Sequence, residues 1–142
     1  MSKEEAQLFI LIVDDSMFMR QKIATTLAQE GTRLEEAGDG LQAVATYRNA
    51  LRKGRAPDAV IMDITMPNMD GIQATSEIMN LDPNARIVIA SAIGQDETIR
   101  ECINLGAVDY LIKPYRFEKL KTVLETAVVS PFARRVLSEA AG

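Results

Sequence analysis

At 142 residues the chain fits one domain on a prior of about 100–200 residues, and its composition, 47% hydrophobic and 25% charged with 8 glycines and 5 prolines, excludes a disordered or fibrous chain. A net charge of −4 without any Lys/Arg block argues against nucleic acid and anionic lipid as partners. The lack of histidine removes the commonest general base, zinc ligand and pH switch together, and Cys102, the only cysteine, excludes an intramolecular disulfide.

Glu4 and Glu5 precede the first apolar run, unlike a signal peptide, and no stretch approaches the ~20 apolar residues of a membrane helix. A cytoplasmic protein without membrane insertion is expected. Leu8 to Val13 is a continuous apolar run of strand length, ending in Asp14 and Asp15. From Ser16 onward Phe18, Ile23 and Leu27 recur at helical spacing, with Gly31 as the stop. Arg33 to Ala37 is a weaker strand, and Leu41, Val44, Ala45 and Leu51 mark a second helix ending near Gly54. Ala59 to Met62 is a third strand that closes on Asp63. Ile72, Ile78 and Met79 place a helix after Gly71, ending before Asp82-Pro83 because the residue before a proline avoids the helical region. Arg86 to Ala90 reads as a fourth strand, Thr98 to Leu105 as a helix stopped by Gly106, and Val108 to Ile112 as a fifth strand. Phe117, Leu120, Val123, Leu124, Ala127 and Val128 form the apolar stripe of the next helix. Ser130 as cap and Pro131 at the first helical position predict a short extra helix with Phe132, Val136 and Leu137 on its apolar side; the competing reading is a frayed terminus.

Nearly all-apolar strands alternating with helices argue for an α/β fold, a doubly wound parallel sheet of five strands with right-handed crossovers. In such a sheet the ligand site lies at the carboxyl ends of the strands. Those ends deliver Asp14 and Asp15, then Asp63, then Ser91, then Lys113 followed by Pro114. Singly, each has a plainer reading: Asp14 and Asp15 as a helix cap with Ser16, Ser91 as a strand-end hydroxyl, Lys113 as a solvated lysine, Pro114 as a turn residue, Tyr110 as packing. Their convergence argues for a site.

Crowded carboxylates share protons or hold a cation, and oxygen-only ligands favour a hard ion. Mg2+, which binds through one or two carboxylates plus waters and phosphate, is the expected cofactor. With Ser91 and Lys113 able to donate to other oxygens, the set suits phosphoryl transfer to an aspartate. Asp63 is the expected acceptor, because it stands alone in mid-sheet while the paired acids look like the metal seat.

The segments VDDS at 13–16, MDITMPNMDG at 62–71, ASA at 90–92, LGAVDYLIKP at 105–114 and, more weakly, EAGDG at 36–40 resemble the receiver domain of two-component response regulators. Within that family the likeness is nearest to the stand-alone chemotaxis receivers. The resemblance implies a flavodoxin-like (β/α)5 fold with strand order 2-1-3-4-5, a receiver domain at residues 1–129, and an extension at 130–142 too short for an output domain. It implies that Asp63 accepts a phosphoryl group from a partner's histidine. Asp15, Asp63 and the backbone carbonyl of Thr65 would bind Mg2+ directly, and Asp14 through water. Ser91 would contact the phosphoryl oxygen and Lys113 would pair with it. Tyr110 would change rotamer on activation, the bond before Pro114 would be cis, and Thr65 and Ile93 would tune phosphoryl lifetime. The implied partners are a sensor histidine kinase or histidine phosphotransfer protein and a downstream protein target, the flagellar motor switch in the chemotaxis case. A monomer or weak dimer is expected, catalysing only its own phosphorylation and dephosphorylation.

A second reading is a phosphorelay intermediate or phosphate sink without an effector target. A phosphohydrolase of the haloacid dehalogenase type would require a second aspartate two residues past Asp63, where Thr65 stands. A nucleotide-binding module lacks both a Gly-rich turn after the first strand and a P-loop lysine.

Overall fold

The computed structural model describes residues 7–29 and 31–139. Residues 1–6 and 140–142 of the expected domain and extension lie outside the described residues. The elements alternate as β1 (Leu8–Val13), α1 (Met17–Leu27), β2 (Thr32–Ala37), α2 (Gly40–Arg52), β3 (Ala59–Asp63), α3 (Gly71–Leu81), β4 (Ile87–Ser91), α4 (Asp96–Leu105), β5 (Asp109–Ile112), α5 (Phe117–Ala127) and α6 (Pro131–Glu139).

The strands pair in parallel in the order β2-β1-β3-β4-β5, the doubly wound sheet that the sequence leads one to expect. Central β1 carries LFILIV and is buried at all six positions, which explains its uninterrupted apolar sequence. Burying each such side chain is worth roughly 1.5–3 kcal/mol. Leu8, Ile10 and Ile12 meet α1, α5 and α6 on one face, while Leu11 and Val13 meet residues of α2, α3 and α4 on the other. The edge strands are more polar: β2 reads TRLEEA and β5 reads DYLI, each only partly buried.

Several helical faces and ends depart from the sequence pattern. Phe18, Leu41 and Ala45, expected on inward stripes, are exposed; of the expected α2 stripe Val44 is buried, joined by Ala43, Tyr47 and Ala50. Tyr47 reaches inward because its hydroxyl donates to Asp82 at 2.6 Å. Helix α1 stops at Leu27 rather than running to Gly31, since Ala28 already turns to an extended backbone. Gly31, with φ of 87°, instead shapes the entry to β2, and its carbonyl accepts from the Leu8 N–H at 2.6 Å. Helix α4 begins at Asp96, two residues ahead of the expected start, with Asp96 and Glu97 favourably placed against the positive helix end. Strand β4 includes Ser91, so that hydroxyl is the last residue of a strand rather than the first beyond it.

The extra helix is docked. Ser130 Oγ accepts from Ala133 N–H at 3.3 Å, and Ala133, Val136 and Leu137 are buried in the same cluster as β1 and α5, with Phe132 packed against it. Gln29 Nε2 donates to the Val136 carbonyl at 2.7 Å, and Arg134 donates to the carbonyls of Glu125 and Val128 at 3.2 and 3.1 Å. A frayed terminus is thereby set aside for residues 131–139.

Candidate functional site

Strand lengths and register carry the polar residues to one edge. Val13 pairs with Met62 and Asp63 with Ala90, so Asp14, Asp63 and Ser91 emerge side by side at the carboxyl ends of β1, β3 and β4. Lys113 joins them from the end of β5, its N–H bonded to the Ser91 carbonyl at 2.7 Å. Asp14, Asp63 and Ser91 are 4%, 7% and 1% exposed, a rare depth for polar groups. Asp15 stays exposed and makes no hydrogen bond or ion pair among the described residues.

The carboxylates of Asp14, Asp15 and Asp63 each bring one oxygen to within 4.8 Å of the others. One cation serves the group: Lys113 Nζ lies 2.9 Å from Asp14 Oδ2 and 3.2 Å from Asp63 Oδ1. Asp14 Oδ1 also accepts from Ser16 N–H at 2.8 Å, and Asp63 Oδ1 from Ile64 N–H at 2.9 Å. Capping of α1 falls to Ser16, whose Oγ accepts from Met19 N–H at 3.2 Å. Burial pushes the Asp63 carboxyl above its ordinary 3.8; Lys113 opposes this, and the Asp14 charge adds to it. Burial also works against the Lys113 charge, yet its bond to Asp14 and the two carboxylates hold its pKa above the ordinary value.

Three carboxylates against one ammonium leave an excess of negative charge in a partly buried pocket. An all-oxygen donor set of this kind fits a hard divalent cation, which would relieve that excess. Asp14, Asp15 and Asp63 are the side chains that could hold it.

The remaining sequence-predicted residues lie on β4, on β5 and in the loops that follow β3, β4 and β5. Thr65 is exposed in the β3–α3 loop, where Gln95 Nε2 reaches its Oγ1 at 3.4 Å. Ile93 is 81% exposed in the β4–α4 loop and Tyr110 46% exposed on β5. Ser91 Oγ makes only a long 3.4 Å contact to the Ala92 carbonyl. The Lys113-Pro114 bond is cis.

Some neighbours escape sequence reasoning. Arg20 Nη1 donates to the Asp14 carbonyl at 2.7 Å while its Nε pairs with Glu36 at 3.0 Å, fixing the β1–α1 turn. Gln95 also accepts from Ala92 N–H at 2.8 Å. Tyr115 has a buried hydroxyl without a hydrogen-bond partner among the described residues, and burial pushes it up to about 12. The position of Arg20 one turn past Ser16, on the site side of α1, was the only available signal for it. Nothing local marks Gln95 or Tyr115.

Comparison with known proteins agrees with this geometry. The family model of the response regulator receiver domain matches residues 10–125. The chain is 45% identical over 112 residues to the chemotaxis protein CheY of Bacillus subtilis, covering 78% of this chain and 89% of that protein. It is 44% identical over 108 residues to the chemotaxis protein CheY of Thermotoga maritima, covering 75% and 86%. Among solved structures, a chain of the CheX-CheY-BeF3-Mg2+ complex from Borrelia burgdorferi superposes with a TM-score of 0.79 at 34% identity, over 91% of this chain and all of that one.

Proposed function

The chain belongs to the response regulator receiver family, and from that premise we propose that it is a response regulator, phosphorylated on Asp63 by a sensor histidine kinase or histidine phosphotransfer protein with Mg2+. The observation that carries the reading is the buried Asp63 carboxylate, bonded to Lys113 and within 4.8 Å of two further acids.

In this reading Asp15, Asp63 and the Thr65 carbonyl would hold the ion, with Asp14 supporting it; when bound, Mg2+ would neutralise charge on the transferring group. An Asp63 carboxylate oxygen attacks phosphorus, the P–N bond of the donor phosphohistidine breaks, and the imidazole leaves with its electron pair and takes up a proton. Lys113 favours the ionised nucleophile beforehand and pairs with the phosphoryl oxygens afterwards. Ser91 Oγ, held only by a long contact to a carbonyl, is free to turn toward the phosphoryl group. That movement gives room for Tyr110 to rotate inward, and a bias of a few kcal/mol between two states suffices for signalling.

The α4–β5 face, where Ile103 and Tyr110 are exposed, supports an effector-binding role over a pure phosphate sink. The chemotaxis relatives support a place in chemotaxis, and the flagellar motor switch is the target this reading proposes. No helix among the described residues is long and apolar enough to cross a membrane, which is compatible with work in the cytoplasm. Exposed, apolar Ile93 cannot orient an attacking water, so the aspartyl phosphate should decay slowly, and Ile93→Glu should hasten its loss; an unchanged decay rate would refute this.

The test is intact mass after incubation with acetyl phosphate and Mg2+. One phosphoryl group should be gained, and the gain should vanish in Asp63→Asn and in a metal-free control. A gain that survives Asp63→Asn would place the acceptor elsewhere.

A further inference from the structure

The β3–α3 loop, residues 64–70, carries Thr65; Ile64 and Met69 anchor it in the core and Met66 packs against the same cluster, but its polar ties are few. Gly71 N–H donates to the Ile64 carbonyl at 2.7 Å and closes the neck of the loop, at a point where a Cβ on Gly71 would collide with the Asp63 carbonyl oxygen. Beyond that neck Thr65, Pro67 and Asn68 are exposed. Asn68 is the one non-glycine among the described residues with a positive φ, at 65°. This left-handed conformation is one that asparagine tolerates better than most residues.

From this conformation Asn68 Nδ2 donates to Asp39 Oδ2 at 2.8 Å. Asp39 is itself fixed. It is buried, and its Oδ1 accepts from Gln42 N–H at 2.8 Å as the cap of α2. The adjacent Gly40 N–H donates to the Met69 carbonyl at 2.9 Å. On the other flank of the loop the Gln95 contact to Thr65 is long, at 3.4 Å. Among the described residues, Asp39 therefore supplies the one short side-chain bond to positions 65–68 of the loop.

We propose that Asp39 and Asn68 are a positioning pair that clamps the β3–α3 loop and so presets the Thr65 carbonyl for a divalent cation, while neither residue touches the ion. The proposal rests on the metal reading given above. Mg2+ demands near-ideal octahedral geometry, so freedom in one backbone ligand is felt in its affinity. Loss of a group that directly orients a ligand costs 10–100-fold, and a clamp three residues away should cost less, about three- to tenfold.

The test is calorimetric titration of Mg2+ into the unphosphorylated full chain, with the metal-free unfolding midpoint measured alongside. Asn68→Gly removes the amide while easing the left-handed backbone. Asp39→Ser keeps a capping hydroxyl for Gln42 but is too short to reach Asn68. Each single variant should bind Mg2+ about three- to tenfold more weakly with its midpoint unchanged, and the double variant should be no weaker than either, because the two act through one bond. Asp39→Asn should retain wild-type affinity, since the two amides can turn to restore the bond. Unchanged affinity in the single variants, additive losses, or losses that track the unfolding midpoint would overturn the pair while leaving the metal site standing. Failure of the wild type to bind Mg2+ would remove both.

Discussion

The two ends of the sheet handle charge in opposite ways. At the amino ends of the strands a half-buried carboxylate is matched: Asp58 accepts from Phe9 N–H at 2.8 Å and pairs with Arg55 at 3.0 Å, and Arg55 also holds the Gln7 carbonyl at 2.7 Å. The apolar side of α6 packs against β1 and α5 beside it. At the carboxyl ends two of three clustered carboxylates share Lys113, and the third, Asp15, has no protein partner among the described residues. Pairing one charge with one countercharge is what folding alone favours, because an uncompensated charge near the interior costs stability. An excess of one sign, kept where β1, β3 and β4 deliver Asp14, Asp63 and Ser91, is what a site completed by a cation would require.

The largest effect should come from removing that excess. Asp63→Asn should abolish Mg2+-dependent phosphoryl incorporation, and without metal it should raise the unfolding midpoint at neutral pH. The folded pKa of Asp63 lies above its unfolded value, so its ionised form is disfavoured in the fold. That cost is absent below the ordinary 3.8 and complete once the pH exceeds the raised value. The midpoint advantage of Asp63→Asn should therefore shrink as the pH falls toward 3.8. A variant less stable than the wild type at pH 7 would contradict the contrast between the two ends.

The opposite edge should respond in stability alone. Leu137→Ala, at a fully buried position in α6, should cost about 2–5 kcal/mol by chemical denaturation, with phosphoryl incorporation unchanged well below the midpoint. Loss of labelling in the still-folded variant would show that the two ends are coupled. Next, Mg2+ at a hundredfold excess over its Kd should stabilise the wild type by about 2.7 kcal/mol and Asp63→Asn by less. The smallest effect expected is that of Ser130→Ala, which removes the 3.3 Å cap of α6 and should cost about 0.5–1 kcal/mol, readable as a small shift in denaturant midpoint.

The strand ends were legible because each combines a local signal, an apolar run, with an abrupt polar stop: LIV before Asp14, VIM before Asp63, VIA before Ser91. Helical faces were less so. Phe18 and Leu41 fit an inward stripe by spacing but point to solvent, because which side of a helix is covered depends on strands far away in sequence. Tyr47 lies inside for the sake of Asp82, 35 residues on. The cap and proline announced α6, but whether it docks depends on Gln29 and β1, at the other end of the chain. The bond between Asp39 and Asn68 joins two turns, and turn residues carry no periodicity from which a partner could be read.

Cys102 has one further consequence. It is the sole thiol of the chain, it lies fully buried on α4, and burial first, then Glu101 and Asp70, push it up to about 11. A thiol-selective reagent at neutral pH should leave the folded protein unmarked until α4 lifts from the sheet, so the labelling rate is a clock for that opening. Read with and without phosphoryl donor, the same clock would time the looseness of the α4 face using no introduced probe.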